Sequence, residues 1–171
     1  MEVRTDTQLQ NTLGSNQSKK LLDLFFLNSK TLGHDSLKVE SHLFVEAASK
    51  NNVQFEFIRL KSFDLNKSTV DMSHSSSVLL EADFGLADSG KLIIDTQDPD
   101  IIVKMLLVDF LYIILPSSKI ISSMTEYELL NGKPTVDLLQ GISSYTAISS
   151  NNELALSSKD LQIQVYVIED L

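Results

Sequence analysis

Cysteine is absent from the 171 residues, and so is tryptophan. The first absence excludes disulfides, thiolate nucleophiles, zinc–thiolate sites and self-ligated iron–sulfur clusters. Histidine is scarce: His34, His42 and His74 are the only three, and no pair has HxH or HxxxH spacing. A metal site built on imidazole is therefore not expected. Positive charge is short as well. Fourteen Lys and Arg against 23 Asp and Glu leave a formal net charge of −9. A surface this acidic repels phosphate backbones and anionic lipid, so neither nucleic acid nor a membrane surface is an expected partner. Long apolar runs are missing too. The most apolar window, 101–115, falls short of the ~18 residues of a membrane span, and Lys104 and Asp109 interrupt it. The amino-terminal stretch is polar with no hydrophobic secretory region, which points to the cytoplasm.

What is present is an ordinary globular composition, 43% apolar and 22% charged, sufficient for one core in a chain of this length. Residues 1–16 are polar and aperiodic and are expected to form a disordered leader, with a single domain over 17–171. Leu21, Leu24, Phe25 and Leu27 recur at helical spacing, with Phe26 off that face and Gly33 as the stop. Asp35 or Ser36 is suited to cap a second helix carrying Leu37, Leu43, Phe44 and Ala47 on one stripe. Val53, Phe55 and Phe57 alternate as a strand does. A serine-rich connection, 62–77, leads to two short apolar runs, Val78 to Leu80 and Leu92 to Ile94, either side of a turn-like segment.

Asp98-Pro99 is a helix start, the aspartate as cap and the proline at the first helical position. Phe110 to Leu115 is continuously apolar and ends at Pro116, as a strand buried on both faces would. Residues 122–130 read as a helix, Val136 to Leu139 as a strand. The last strand is 161–168, with Leu161, Ile163, Val165 and Val167 on one face. Strands alternating with helices, and interior strands apolar throughout, predict an α/β fold with a largely parallel sheet covered on both sides.

Several motif matches dissolve on inspection. Gly85 to Leu92 reads GLADSGKL, close to a phosphate-binding loop. Leu92 replaces the magnesium-binding hydroxyl, Asp88 puts a carboxylate in the anion cradle, and the residues that follow read as strand. Asp83-Phe84-Gly85 spells a kinase motif, but no HRD loop or VAIK strand accompanies it. Ser73 and Ser75 flank His74, a sequence-adjacent arrangement that rarely gives nucleophile–base geometry. Asp95, Asp98 and Asp100 are explained by loop and helix-cap roles.

The run Ala87-Asp88-Ser89-Gly90-Lys91-Leu92 resembles the A-E-T-G-T-L signature of the lactate-utilisation (LUD) domain family, with aspartate for glutamate and serine for threonine. The order of the surrounding elements agrees: a helix, an apolar strand closing in Pro116, Ser118-Lys119-Ile120-Ile121 leading on, and Gln164 to Leu171 resembling the last strand of short members. The resemblance spans about residues 36–171 and marks a short, divergent member. Two family elements are altered. Gly141 to Ser149 keeps a glycine and the hydroxyls of Ser143 and Ser144 but has no arginine or acid, and Ser157-Ser158-Lys159-Asp160-Leu161 lacks the family's glycine.

The resemblance implies a three-layer NagB/RpiA/CoA-transferase-like fold. It also implies a cluster-free accessory component of lactate oxidation, without cofactor of its own, working beside an iron–sulfur subunit. The alternatives are a stand-alone enzyme or binder of a small organic acid on the same fold, and a scaffold without ligand. Asp88, Ser89 and Gly90, with Ser143, Ser144 and Lys159, are the candidate ligand-binding residues; in the enzyme alternative Asp88 is the acid–base group and Ser143, Ser144 and Lys159 hold an anionic substrate, and no metal ligand is assigned. Ordinary turn chemistry is the competing explanation of Asp88-Ser89-Gly90: the acid bonds its own backbone and the glycine takes a positive φ.

Overall fold

A computed structural model describes residues 6–49, 56–63, 65–66, 77–96, 98–131 and 161–169. Five parallel strands and one antiparallel edge strand make the main sheet, in the order β1-β9-β7-β4-β2-β3. The strands are β1 (Asp35–Glu40), β2 (Glu56–Leu60), β3 (Leu65–Asn66), β4 (Ser77–Glu81), β7 (Phe110–Pro116) and β9 (Gln162–Glu169). A second sheet, β6-β5-β8, is small: β5 (Phe84–Leu86), β6 (Leu92–Ile93) and β8 (Ile120–Ile121). Four α-helices, α1 (Asp6–Thr31), α2 (Ser41–Ser49), α3 (Pro99–Leu107) and α4 (Met124–Asn131), and two short 3-10 helices, Lys61–Phe63 and Ser117–Lys119, complete the described elements.

Alternation along the central strands sorts the core into two layers. Val78 and Leu80 of β4, Leu111, Ile113 and Leu115 of β7, and Val165 and Val167 of β9 share one face, covered by Phe25 of α1 and by Ile101 and Met105 of α3. Leu79, Ile114 and Ile168 point to the other, where Phe44 of α2 and Leu60 complete a smaller cluster. Helices on both faces of a parallel sheet make the three-layer α/β fold that the sequence predicts. The helix start at Asp98-Pro99 is as expected: the Asp98 carboxylate accepts the Asp100 N–H at 2.9 Å with Pro99 first in the helix.

Three expectations are corrected. Residues 6–16 are the first turns of α1 rather than an aperiodic leader; Gln8, Leu9 and Gln10 are good helix formers, and polarity alone does not oppose helix. Residues 35–40 are strand β1, and the helix begins only at Ser41. Leu37 and Val39 alternate as well as they fit a helix, and the parallel ladder with β9, from Asp35 opposite Gln164 to Glu40 opposite Glu169, decides between them.

On α1, Leu24 and Leu27 are exposed at 42% and 62%, while Phe25 is fully buried and Leu21, Leu22 and Phe26 pack against the core. The buried stripe thus runs through Phe26, off the expected face. Ser29, fully buried, continues it because the chain around Gly90 seats on the helix backbone there. The strand expected at Val136 to Leu139 lies outside the described residues, as do Val53 and Phe55.

Candidate functional site

The segment that resembles the family signature is the loop of the β5–β6 hairpin, in which Phe84 pairs with Ile93 and Gly85 with Leu92. Leu86 N–H donates to Lys91 O and Gly90 N–H to Leu86 O, both at 2.8 Å, closing the turn. Strand β8 holds it from one side: Ala87 N–H donates to Ile121 O at 2.8 Å and Asp88 N–H to Ser122 O at 3.0 Å. Helix α1 holds it from the other. The Asn28 side-chain amide donates to Ala87 O at 2.8 Å and to Asp88 O at 3.1 Å.

Gly90 has φ +69° and is buried against α1; a Cβ there would collide with the backbone of Asn28 and Ser29, 2.6 Å from Ser29 Cα. Glycine is required twice over, by conformation and by contact. The turn's main chain is therefore rigidly placed, and what it displays is side chain. Asp88 is exposed, and its carboxylate makes no hydrogen bond or ion pair among the described residues. Ser89 Oγ is buried without a hydrogen-bond partner among the described residues. Of the other candidates, Ser143, Ser144 and Lys159 lie outside the described residues, so a pocket shared between them and Asp88 lies outside as well.

Immediately upstream, charged groups collect where the parallel strands end, the edge at which such sheets place ligands. Glu81, the last residue of β4, is 5% exposed; it accepts the Ser62 N–H at 2.8 Å and the Ser62 hydroxyl at 2.5 Å, tying the end of β2 to the end of β4. Two residues on, Asp83 forms an ion pair with Lys61, and its other carboxylate oxygen accepts the Asp95 N–H at 2.6 Å. Phe84 stacks edge-on against the buried Tyr127 with ring centres 5.2 Å apart, and Lys119 lies over the Phe84 ring at 5.4 Å. Burial, and then the carboxylates of Asp95 and Asp83, hold the Tyr127 phenol above its ordinary pKa, so it stays protonated at neutral pH.

Glu81, Asp83, Lys61 and Lys119 escape a reading by motif. Their signal is the Glu81-Ala82-Asp83 cluster directly after the apolar run Val78 to Leu80, acids placed where a buried strand emerges. The carboxylates here already have donors, so the arrangement joins strand ends rather than offering a reactive pair.

Among the described residues no three His, Asp or Glu side chains converge as metal ligands, and no helix is long and apolar enough to cross a membrane. His42 sits 3.3 Å from the Glu40 carboxylate, both exposed, and His74 is outside the described residues.

No protein-family model matches the chain, and no curated protein matches it. Among solved structures, the chain is similar to a DUF162 family protein from Deinococcus radiodurans, with a TM-score of 0.52 and 14% sequence identity over 88% of this chain and 98% of that one. At that identity the likeness concerns the fold: this chain has the three-layer α/β architecture of a DUF162 protein.

Proposed function

We propose that this protein is an accessory, cluster-free component of a lactate-utilisation system, presenting a surface to a partner rather than performing chemistry itself. The observation that carries the reading is the Ala87–Gly90 turn. Its main chain is fastened by β8 and by Asn28 of α1, while the Asp88 carboxylate is exposed and has no partner among the described residues. A rigid main chain under an unsatisfied charged side chain is the arrangement of a recognition point, since little conformational entropy remains to be lost on binding. The sequence of this turn resembles the LUD signature, and the fold likeness is to a DUF162 protein, DUF162 being the same domain family. With no cysteine in the chain, any iron–sulfur chemistry of such a system resides in another subunit.

Deleting the gene in its host tests this. Growth on lactate as sole carbon source is expected to fail while growth on glucose continues, with restoration by the wild-type gene but not by Asp88→Asn. Undiminished growth of the deletion strain on lactate would remove the lactate assignment. Full restoration by Asp88→Asn would remove the role of this turn.

A further inference from the structure

A hollow of about 670 Å³ opens between the carboxyl end of α1 and the edge strand β1. Its size is that of small-molecule sites, roughly 300–1,000 Å³. Phe26 and Leu37 line it as apolar walls; Leu37 is 43% exposed, an unusual position for a leucine on a sheet. Gly33, at φ +82°, has nothing within 4 Å of where a Cβ would sit, which leaves the mouth open.

The polar groups of the hollow are unevenly used. Lys38 pairs with Glu169 at 2.6 Å. Ser36 Oγ lies 2.7 Å from Ser29 Oγ, which in turn lies 3.4 Å from His34 Nδ1. The imidazole of His34, a residue only 5% exposed, has Nε2 closed off from solvent and without a partner among the described residues. Lys30 makes no ion pair or side-chain hydrogen bond among the described residues. The Lys30 side chain, its ammonium unused among the described residues, thus lines one apolar-walled hollow beside the buried His34 ring.

We infer that this hollow is a binding site for a small amphipathic monocarboxylate, with Lys30 as its charge-recognition group and Phe26, Leu37 and the His34 ring against the ligand's body. The carboxylate follows from the charges. Lys30 is the hollow's cation without a partner among the described residues, while Asp35 on the rim and Glu169 beside Lys38 disfavour a second negative charge. The carbonyl end of α1 would oppose any anion, but that end is closed. Leu32 N–H donates to Asn28 O and Ser29 O, Gly33 N–H to Lys30 O and His34 N–H to Ser29 O, so those oxygens are already engaged. Lys30 neutralises the carboxylate's charge, and the His34 ring lies in the wall of the hollow. The inference is independent of the lactate assignment and of Asp88.

Titrating the full chain with phenylacetate, read by amide and side-chain NMR shifts, tests it. Saturable shifts at Phe26, Lys30, His34 and Leu37 are expected. The neutral isostere phenylacetamide should bind at least tenfold more weakly, as phenylacetate should to Lys30→Gln; Lys30→Arg should retain most of the affinity. Linear, unsaturating shifts, equal binding of the amide, or unchanged affinity in Lys30→Gln would overturn the site. Lys30 is exposed, so its substitution leaves the fold intact, and an unchanged melting curve for Lys30→Gln confirms that affinity is what the variant reports.

Discussion

Gly90 rests on the backbone of Ser29: the hairpin loop of the small sheet and the last turns of α1 approach so closely that no side chain fits between them. The contact links the signature turn to the helix and, through the Ser29 and Ser36 hydroxyls, to the edge of the main sheet.

Replacing Gly90 with alanine should therefore destabilise the protein more than the same change at Gly33. Both have positive φ, but only Gly90 has backbone in the way. Gly33→Ala is expected to cost about 1–2 kcal/mol from the left-handed conformation alone, and Gly90→Ala several kcal/mol, strain and overpacking together. Equal urea midpoints for the two variants would contradict the close approach.

Asn28→Ala should cost about 1–2 kcal/mol, since it removes two donors and returns the Ala87 and Asp88 carbonyls to water. Asn28→Asp should be worse, because a carboxylate would face two carbonyl oxygens. Chemical denaturation of both variants checks the order; an aspartate variant as stable as wild type would mean the amide does not hold the turn.

At the strand ends, Ser62→Ala removes the hydroxyl from Glu81 but keeps the backbone donor, and about 1–3 kcal/mol of stability should go with it. Glu81→Ala should cost more than Ser62→Ala, because it leaves both Ser62 donors without an acceptor. Thermal melts of the pair give the ranking, and the reverse order would refute the tie between β2 and β4.

Burial holds the His34 imidazole below its ordinary pKa of 6.5. Between 6.5 and the lower folded value the unfolded chain binds a proton that the folded chain refuses, so stability falls as pH drops through this window and is constant above it. His34→Phe should lose that slope. Melting temperatures from pH 7.5 to 5 measure it, and an identical slope in the variant would place the titration on another group.

Local chemistry made part of this molecule readable from its residues. Asp98-Pro99 starts a helix wherever it occurs before an apolar stretch. The run Phe110 to Leu115 has no polar side to offer water, so it had to become the strand at the middle of the sheet. Asp88-Ser89-Gly90 between two apolar runs has to turn, and the glycine has to be glycine. The alternation of such segments was enough for the α/β class.

What the residues left open was settled by contacts between segments far apart in the chain. Residues 35–40 carry apolar positions compatible with either helix or strand, and only the β9 ladder makes them a strand. The buried side of α1 passes through Phe26 and not Leu24 because the hairpin loop docks at Ser29, a choice no periodicity within α1 encodes. The pairings of Glu81 with Ser62 and of Lys61 with Asp83, and the hollow beside His34, exist only because parallel strands bring their ends together or a helix end meets a sheet edge. Propensity and capping act over a few residues and are written locally. Strand order, helix docking and charge pairing depend on which surfaces meet, and only the folded chain decides that.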